Sequence, residues 1–255
     1  MDDVIYQAAR MIESSKRTVV FTGAGVSTES GIPDFRSPGG LWTRFDPDDF
    51  TIDKYLRSES ARRRMWKILL EEGLLTEAEP NAAHRAIAEL ERMGRLRCVI
   101  TQNIDNLHQK GGNSPEIVYE LHGNMKWVVC LGCRRRRLLE EVKPLVAAAD
   151  FRPVCDQCGG ILKPDVIFFG EMLPQTTLME ASRHSQECDL FLVVGSSLVV
   201  YPAAALPLQA KRAGARLLIV NLGPTEQDHI ADLIIHRKAG ETMAGILEVL
   251  KGRVS

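Results

Sequence analysis

The sequence lacks any long hydrophobic run. No stretch approaches the roughly 20 apolar residues that cross a bilayer, and the longest candidate, Leu198–Leu208, is interrupted by Pro202 and Pro207. The first residues also lack the basic and apolar segments of a signal peptide. These absences argue against a membrane protein and against a secreted one, and we expect a cytoplasmic, enzyme-sized protein.

The sequence also lacks an excess of charge of either sign and a high density of cysteine. Its 32 Lys and Arg residues nearly balance 33 Asp and Glu residues, which gives no global electrostatic case for binding nucleic acid or an anionic membrane. Six cysteines in 255 residues are too few for a disulfide scaffold. The length is sufficient for one large domain, or for one domain with a small added unit.

A glycine-rich turn follows the first predicted strand, but it lacks one residue of a known dinucleotide motif. Thr18–Phe21 is typical of a buried strand, and Ser27–Ser30 suit the start of a helix. A strand, a glycine turn and a helix start together attract a pyrophosphate. The G-x-G-x-x-G motif needs a third glycine after Gly23 and Gly25, at the position of Thr28. The turn alone therefore predicts phosphate binding and a simple tight turn about equally.

Short apolar strands alternate with predicted helices along most of the chain. After the first strand they are expected at Leu96–Ile100, Ile117–Leu121, Asp189–Val194, Arg216–Val220 and Leu233–Ile235. The helices are expected near residues 3–15, 202–213 and 239–250, and two more, Arg62–Glu72 and Ala82–Met93, lie in a strand-free insertion. This alternation predicts an α/β protein with a doubly wound parallel sheet, similar to the Rossmann fold.

Polar or small residues follow several of these strands, at positions 22–25, 101–105, 195–197 and 221–225. The carboxyl ends of parallel strands are where open α/β sheets bind ligands, so this rim favours a dinucleotide. Asn103 and Asp105 point to the same side if their segment is extended, although an Asx turn explains either residue alone. His122 ends a strand and precedes Gly123, which makes it a candidate catalytic base. The other histidines, His84, His108, His184, His229 and His236, are interpreted as structural residues.

Two Cys-x-x-Cys pairs, Cys130 with Cys133 and Cys155 with Cys158, predict a tetrahedral site with four thiolate ligands. Zn²⁺ fits such a set of soft ligands, and a closed shell predicts a structural metal. A redox pair is the alternative. The basic run Arg134–Arg137 is interpreted either as a solvated face or as a contact for nucleic acid or an acidic partner.

Lys163–Glu171 is an apolar run after a charged start, and it predicts a strand or an extended edge. An exposed edge could pair with a peptide by strand addition. The alternative is one more core strand.

Together these motifs resemble the sirtuins, NAD-dependent protein deacylases, and most closely their bacterial and archaeal catalytic cores. The resemblance spans roughly residues 3 to 250 in the order of the family. Its motifs are Gly23–Ser27, Gly31–Arg36, Thr101–Asp105, His122 with Gly123, the four cysteines, Phe168–Glu171, Gly195–Leu198, and Val220 with Asn221.

The resemblance implies a role for each matching residue. It implies NAD contacts from Gly23, Ala24, Gly25, Thr28, Ile32, Asp34, Phe35, Arg36, Gln102, Asn103, Ile104, Asp105, His122, Gly195, Ser196, Ser197, Asn221, Leu222, Lys238 and Ala239. It implies peptide contacts from Ile167, Phe168, Phe169, Gly170, Glu171, Leu198, Val199 and Val200. The catalytic residues would be His122, Asn103 and Asp105. Phe35 and Arg36 would belong to a mobile loop that closes over NAD.

The implied reaction moves an acyl group from lysine to ADP-ribose and releases nicotinamide. A ribose hydroxyl must lose a proton in the second step, and an imidazole with a pKa near 6.5 suits that role. Sirtuins that prefer acidic acyl groups carry a Tyr and, three residues later, an Arg in the helical insertion. Arg62–Leu70 lacks that pair, which favours acetyl or longer apolar acyl groups.

The expected division is an NAD-binding domain of residues 1–37, 94–123 and 163–255, a helical insertion of residues 38–93, and a zinc unit of residues 124–162. A monomer is favoured. Three other functions stay open: a protein mono-ADP-ribosyltransferase on the same scaffold, a zinc-ribbon nucleic-acid binder that uses Arg134–Arg137, and a catalytically silent NAD-binding regulator.

Overall fold

Two sheets organise the chain, one of six strands and one of three. The computed structural model describes residues 2–71, 78–146 and 151–252. Its strands are β1 (Thr18–Thr22), β2 (Leu96–Thr101), β3 (Val118–Glu120), β4 (Gly123–Cys130), β5 (Arg136–Leu138), β6 (Leu162–Val166), β7 (Leu190–Val194), β8 (Arg216–Val220) and β9 (Leu233–Ile235). Its α-helices are α1 (Asp3–Ser14), α2 (Ile52–Arg57), α3 (Glu59–Glu71), α4 (Ala82–Arg92), α5 (Leu107–Gly111), α6 (Leu139–Val146), α7 (Gln175–Glu187), α8 (Leu206–Arg212) and α9 (Ala239–Lys251).

The larger sheet has the strand order β3-β2-β1-β7-β8-β9, and all of its neighbouring strands run parallel. The chain builds outward from β1 in one direction and then returns to add β7, β8 and β9 on the other side. The order therefore reverses between β1 and β7. In open α/β sheets, a ligand crevice forms at such a reversal, outside the carboxyl ends of the strands.

Helices cover both faces of this sheet. Val20 and Val99 face a core built with α1, α4 and α9. Val19 and Phe21, which flank Val20 in β1, face the opposite core, which contains residues of α7 and α8. Successive side chains of a strand point to opposite faces. Because both faces are covered, every residue of β1 is buried. The predicted doubly wound α/β fold is confirmed.

The smaller sheet is antiparallel, with the order β5-β4-β6. It packs against the insertion, whose fully buried Tyr55 and Trp66 share one core with β4 and β6. The Tyr55 hydroxyl donates a hydrogen bond to the carbonyl of Leu162 at the start of β6. The boundary predicted between residues 162 and 163 falls inside β6, which belongs to this sheet. The division into domains stays a prediction.

The structure corrects two expectations about local conformation. The glycine turn itself contains a short 3-10 turn, Ala24–Val26, and a second one, Thr28–Ser30, stands where an α-helix start was expected. The predicted strand Lys163–Glu171 ends early, because β6 stops at Val166. Glu72, the last residue of a predicted helix, lies outside the described residues. In the described part of the chain, no helix has both the length and the apolar content that a membrane span requires.

Candidate active site

The turns that follow β1 and β7 are bonded to each other. The Gly23 amide donates to the carbonyl of Val194 at 3.4 Å, and the Gly25 amide donates to that of Gly195 at 2.8 Å. The Gly195 amide in turn donates to the carbonyl of Val220, at the end of β8. Three strand ends therefore meet through backbone hydrogen bonds, as the polar rim in the sequence predicts.

Glycine is required where these turns touch. Gly195 has a φ of +66°, and a Cβ at this position would lie 2.2 Å from the Val26 nitrogen. A Cβ on Gly25 would lie 2.8 Å from the Gly195 carbonyl oxygen. The 3-10 turn Ala24–Val26 is only three residues long. It therefore lacks the aligned dipoles of an α-helix start. Any attraction for a pyrophosphate must come from individual N–H groups.

Asn103 and Asp105 meet at one hydroxyl, that of Ser27. Ser27 Oγ donates to Asp105 Oδ2 at 2.7 Å and accepts a hydrogen bond from Asn103 Nδ2 at 3.0 Å. Asp105 Oδ1 accepts the Leu107 amide at 2.9 Å, so the Asx turn is present as well. The two side chains therefore lie on the same side of the rim, as expected, and Asp105 also binds the first amide of α5.

Two buried histidines lie behind this group. His84 Nε2 is 3.5 Å from Ser27 Oγ, and the His84 and His108 rings are 5.0 Å apart. Burial lowers the pKa of His84 to about 4 and that of His108 to about 3, so both rings are neutral at pH 7. The sequence interpretation missed their place in the site. No local signal indicated it, because the capping box of Asn81 and His84 marks only the start of α4.

His122 sits where the two sheets join. Its Nδ1 lies 2.9 Å from the Gln102 carbonyl oxygen, which can only accept a hydrogen bond. Nδ1 therefore carries the proton, and the lone pair lies on Nε2. Burial lowers the pKa of His122 below its ordinary value, although the Gln102 carbonyl opposes that shift. The ring is neutral at pH 7 and able to accept a proton.

The residues 167–171 form a tight turn closed by a buried ion pair. Lys163 Nζ lies 2.8 Å from Glu171 Oε2 and 4.4 Å from the centroid of the Phe168 ring. Glu171 Oε2 also accepts the Phe168 amide at 2.7 Å. The Phe168 side chain is therefore part of the core, whereas the Phe169 ring is 46% exposed. The Ile167 amide donates to the His122 carbonyl, which places this turn beside the candidate base.

Four of the predicted NAD-contact residues, Asn221, Leu222, Lys238 and Ala239, lie near the glycine turn. The Asn221 amide continues the ladder to the carbonyl of Ile235 at 3.2 Å, and the Leu222 side chain is exposed. Lys238 and Ala239 lie at the start of α9. There the Gly240 amide donates to a carboxylate oxygen of Glu29 at 2.6 Å, and Glu29 belongs to the second 3-10 turn.

The other predicted site residues lie in the same loops. Thr28 Oγ1 donates to the Gly25 carbonyl, and Asp34 Oδ1 accepts the Arg36 amide. Gln102 Nε2 donates to Ser196 Oγ at 2.9 Å. The rest are Ala24, Ile32, Phe35, Ile104, Ser197, Gly170, Leu198, Val199 and Val200.

The four predicted metal ligands are brought together. The sulfur atoms of Cys130, Cys133, Cys155 and Cys158 all lie within 4.8 Å of one another, close to the roughly 3.8 Å spacing around a tetrahedral Zn²⁺. All four are free thiols in the structure, and the convergence of two pairs on one point favours a metal site over a redox pair. The Gly160 amide donates to a cysteine sulfur at 3.4 Å. The donor set and its geometry fit a structural Zn²⁺.

The basic run beside the cysteines is largely neutralised by local partners. Arg136 pairs with Asp165 at 2.6 Å and stacks on the Trp127 ring. Arg135 and Arg137 both lie 3.5 Å from Asp156. These contacts favour the solvated-face interpretation over a nucleic-acid contact.

Comparisons with known proteins agree on one family. The Sir2 family model matches residues 23–202. The chain is 50% identical to the NAD-dependent protein deacetylase 1 of Bradyrhizobium diazoefficiens over 91% of each chain. It is 49% identical to the NAD-dependent protein deacylase 2 of Archaeoglobus fulgidus over 98% of each chain. A solved structure of a Sir2 enzyme has a TM-score of 0.89 and 47% identity over 100% of both chains. Another, of Sir2 with a peptide and NAD+, has a TM-score of 0.87 and 40% identity over 98% of both.

Proposed function

This chain belongs to the Sir2 family, and we propose that it is an NAD-dependent protein lysine deacylase with His122 as its general base. One observation carries the proposal. A neutral imidazole with its lone pair on Nε2 stands at the same rim as the bonded glycine turns and the Ser27 group. A proton acceptor and a dinucleotide crevice in one place suit acyl transfer to a ribose hydroxyl.

NAD supplies a ribose carbon that becomes electrophilic when nicotinamide leaves, and a hydroxyl that receives the acyl group. Asn103 and Asp105 would hold the nicotinamide end, because Ser27 fixes both side chains. The turns at Gly23–Gly25 and Gly195–Ser197 would hold the pyrophosphate. His122 would take the proton of the ribose hydroxyl at Nε2. The acyl oxygen would bond to the ribose carbon as the bond to nicotinamide breaks. One water is consumed when the lysine amine leaves, and the products are the lysine ammonium, nicotinamide and an O-acyl-ADP-ribose.

An acyl-lysine peptide would lie between the turn 167–171 and the loop 198–200. The Phe169 and Val199 side chains are exposed there, which leaves apolar surface for a peptide. Leu198 is buried and has a φ of +58°, so its contribution would come from the backbone. The Phe169 amide already donates to Phe50, so strand addition at this turn would use other backbone groups.

The structure supports apolar acyl groups over acidic ones. Arg62 Nη1 donates to the carbonyls of Tyr55 and Leu56, both at 3.0 Å. The next two arginines form ion pairs with the carboxylates of other residues, Arg63 with Glu59 at 2.9 Å and Arg64 with Asp49 at 3.0 Å. Since these guanidinium groups already have partners, an acyl carboxylate would have to displace them.

The test is a panel of lysine peptides carrying acetyl, butyryl or succinyl groups, incubated with and without NAD and analysed by mass. We expect NAD-dependent loss of the acetyl and butyryl groups, with little loss of succinyl. Absence of any NAD-dependent mass loss would contradict the function. Labelled NAD with intact acceptor protein tests the alternative: label retained on the protein indicates ADP-ribosyl transfer, and label in O-acetyl-ADP-ribose indicates deacylation.

We also propose that the chain acts as a monomer in the cytoplasm. Light scattering at several concentrations tests the oligomeric state. The zinc ligands must stay reduced, which a reducing compartment provides. Fractionation of the source cells tests the location.

A further inference from the structure

One indole ring contacts both sides of the proposed substrate cleft. The Trp42 ring lies 5.1 Å from the Phe35 ring and 5.9 Å from the Phe169 ring, between centroids. It also meets Phe50 edge to face at 5.2 Å. Phe35 belongs to the loop proposed to close over NAD, and Phe169 belongs to the turn proposed to contact the peptide.

Backbone hydrogen bonds tie the Trp42 ring to the cofactor side. The Trp42 amide donates to the Phe35 carbonyl at 3.0 Å, and the Leu41 amide donates to the Asp34 carbonyl at 2.8 Å. Asp34 in turn accepts the amides of Arg36 and Ser37. These bonds close the loop on itself, so the backbone of Trp42 is held beside that of Phe35.

The peptide side is tied to the same ring from below. The Phe169 amide donates to the Phe50 carbonyl, and the Ile52 amide donates to the Phe169 carbonyl, both at 3.0 Å. Phe50 and Phe169 are therefore held together, and both contact Trp42. Phe35 is 38% exposed and Phe169 is 46% exposed. Each side chain therefore keeps accessible surface for a ligand while its ring contacts the indole.

We propose that Trp42 is a positioning residue that couples NAD binding to peptide binding. The proposal rests on the proposed function, since it needs both ligands. A ligand that orders either phenylalanine also orders the shared indole, so the second ligand meets a cleft that is already ordered. The cost of ordering is then borne once, and each ligand raises the affinity of the other.

The coupling can be measured without turnover. The probes are a carbocyclic NAD analogue, whose bond to nicotinamide cannot break, and an acetyl-lysine peptide. Calorimetry gives the Kd of the analogue alone and with saturating peptide. For the unmodified chain we expect the peptide to tighten the analogue about tenfold, and the analogue must tighten the peptide by the same factor. For Trp42→Ala we expect that factor to fall below about threefold.

Phe45→Ala is the matched control. Phe45 contacts Phe50 with centroids 6.4 Å apart, so this variant removes a ring from the same cluster and leaves the Trp42 contacts in place. We expect its coupling factor to stay within about twofold of the unmodified chain. Trp42→Phe keeps a ring at the position and should keep a larger factor than Trp42→Ala.

Three results would overturn the inference: no coupling in the unmodified chain, full coupling in Trp42→Ala, or equal loss in Trp42→Ala and Phe45→Ala. A different result marks failure of the proposed function itself. If the unmodified chain bound neither the analogue nor the peptide, the deacylase assignment would fall, and the coupling with it.

Discussion

In the six-stranded sheet, the site lies at the ends of strands such as β1 and β7, whose residues are all buried. Next to the three-stranded sheet, two of the four clustered cysteines, Cys133 and Cys158, lie in exposed turns. Buried backbone pairing places the atoms of the first region, whereas bonds to a metal would hold the second together. The two regions should therefore fail under different conditions, and the first should keep its geometry when the second is lost.

Metal removal is expected to have the largest effect. Cys130→Ser should lose zinc and unfold the region around β4, β5 and β6, since structural zinc in small peptides is worth roughly 10–16 kcal/mol at pH 7. Amide exchange followed by mass should rise there, while β1 and β7 keep their protection. Cys98→Ser, a buried thiol outside the cluster, is the control and should retain zinc. Full zinc content and unchanged exchange in Cys130→Ser would contradict the comparison.

Loss of the base comes next, at the junction of the two regions. His122→Ala should reduce the rate of deacylation by about 10²–10⁴, the usual contribution of a general base. NAD affinity should change less than the rate, because the backbone turns at residues 23–25 and 195–197 and the side chains of Asn103 and Asp105 would still hold the dinucleotide. Rates by mass and affinities by calorimetry check both points. His229→Ala, an exposed ring, serves as the control, and an unchanged rate in His122→Ala would remove His122 from its role.

The contact between the glycine turns tests the first region directly. Gly195→Ala would place a Cβ 2.2 Å from the Val26 nitrogen at a φ of +66°, and we expect it to lower the free energy of unfolding by roughly 3 kcal/mol. Gly223→Ala meets nothing within 4 Å and should stay within about 0.5 kcal/mol of the unmodified chain. Urea denaturation measures both. Equal stability of the two variants would show that the turns tolerate separation.

Much of this comparison could be predicted from the sequence. The strands and the polar rim follow from local hydrophobic pattern and from polar residues at strand ends. The cysteine site follows from spacing alone. The 3-10 turn Ala24–Val26 could not be predicted, because the Gly25 amide within it is bonded to the carbonyl of Gly195, far along the chain. The contacts that join Ser27 to His84 and to the predicted site residue Asp105 could not be predicted for the same reason, since only the fold brings the three together.

A fall in pH should lower the free energy of unfolding through two buried histidines. Of the four predicted effects, this one is the smallest. The pKa values of His84 and His108 are lower in the folded chain than the ordinary 6.5, so the unfolded chain binds more protons. Stability is therefore lost as pH falls from 6.5 toward 4, by about 2 kcal/mol per histidine between pH 7 and pH 5. Thiolates also release zinc in acid, but every variant shares that loss.

The measurement is thus the difference in pH dependence between His108→Gln and the unmodified chain, by urea denaturation. We expect His108→Gln to lose about 2 kcal/mol less over this range, and the exposed His229→Gln to lose as much as the unmodified chain. An identical pH dependence in all three would mean that folding does not lower the pKa of His108.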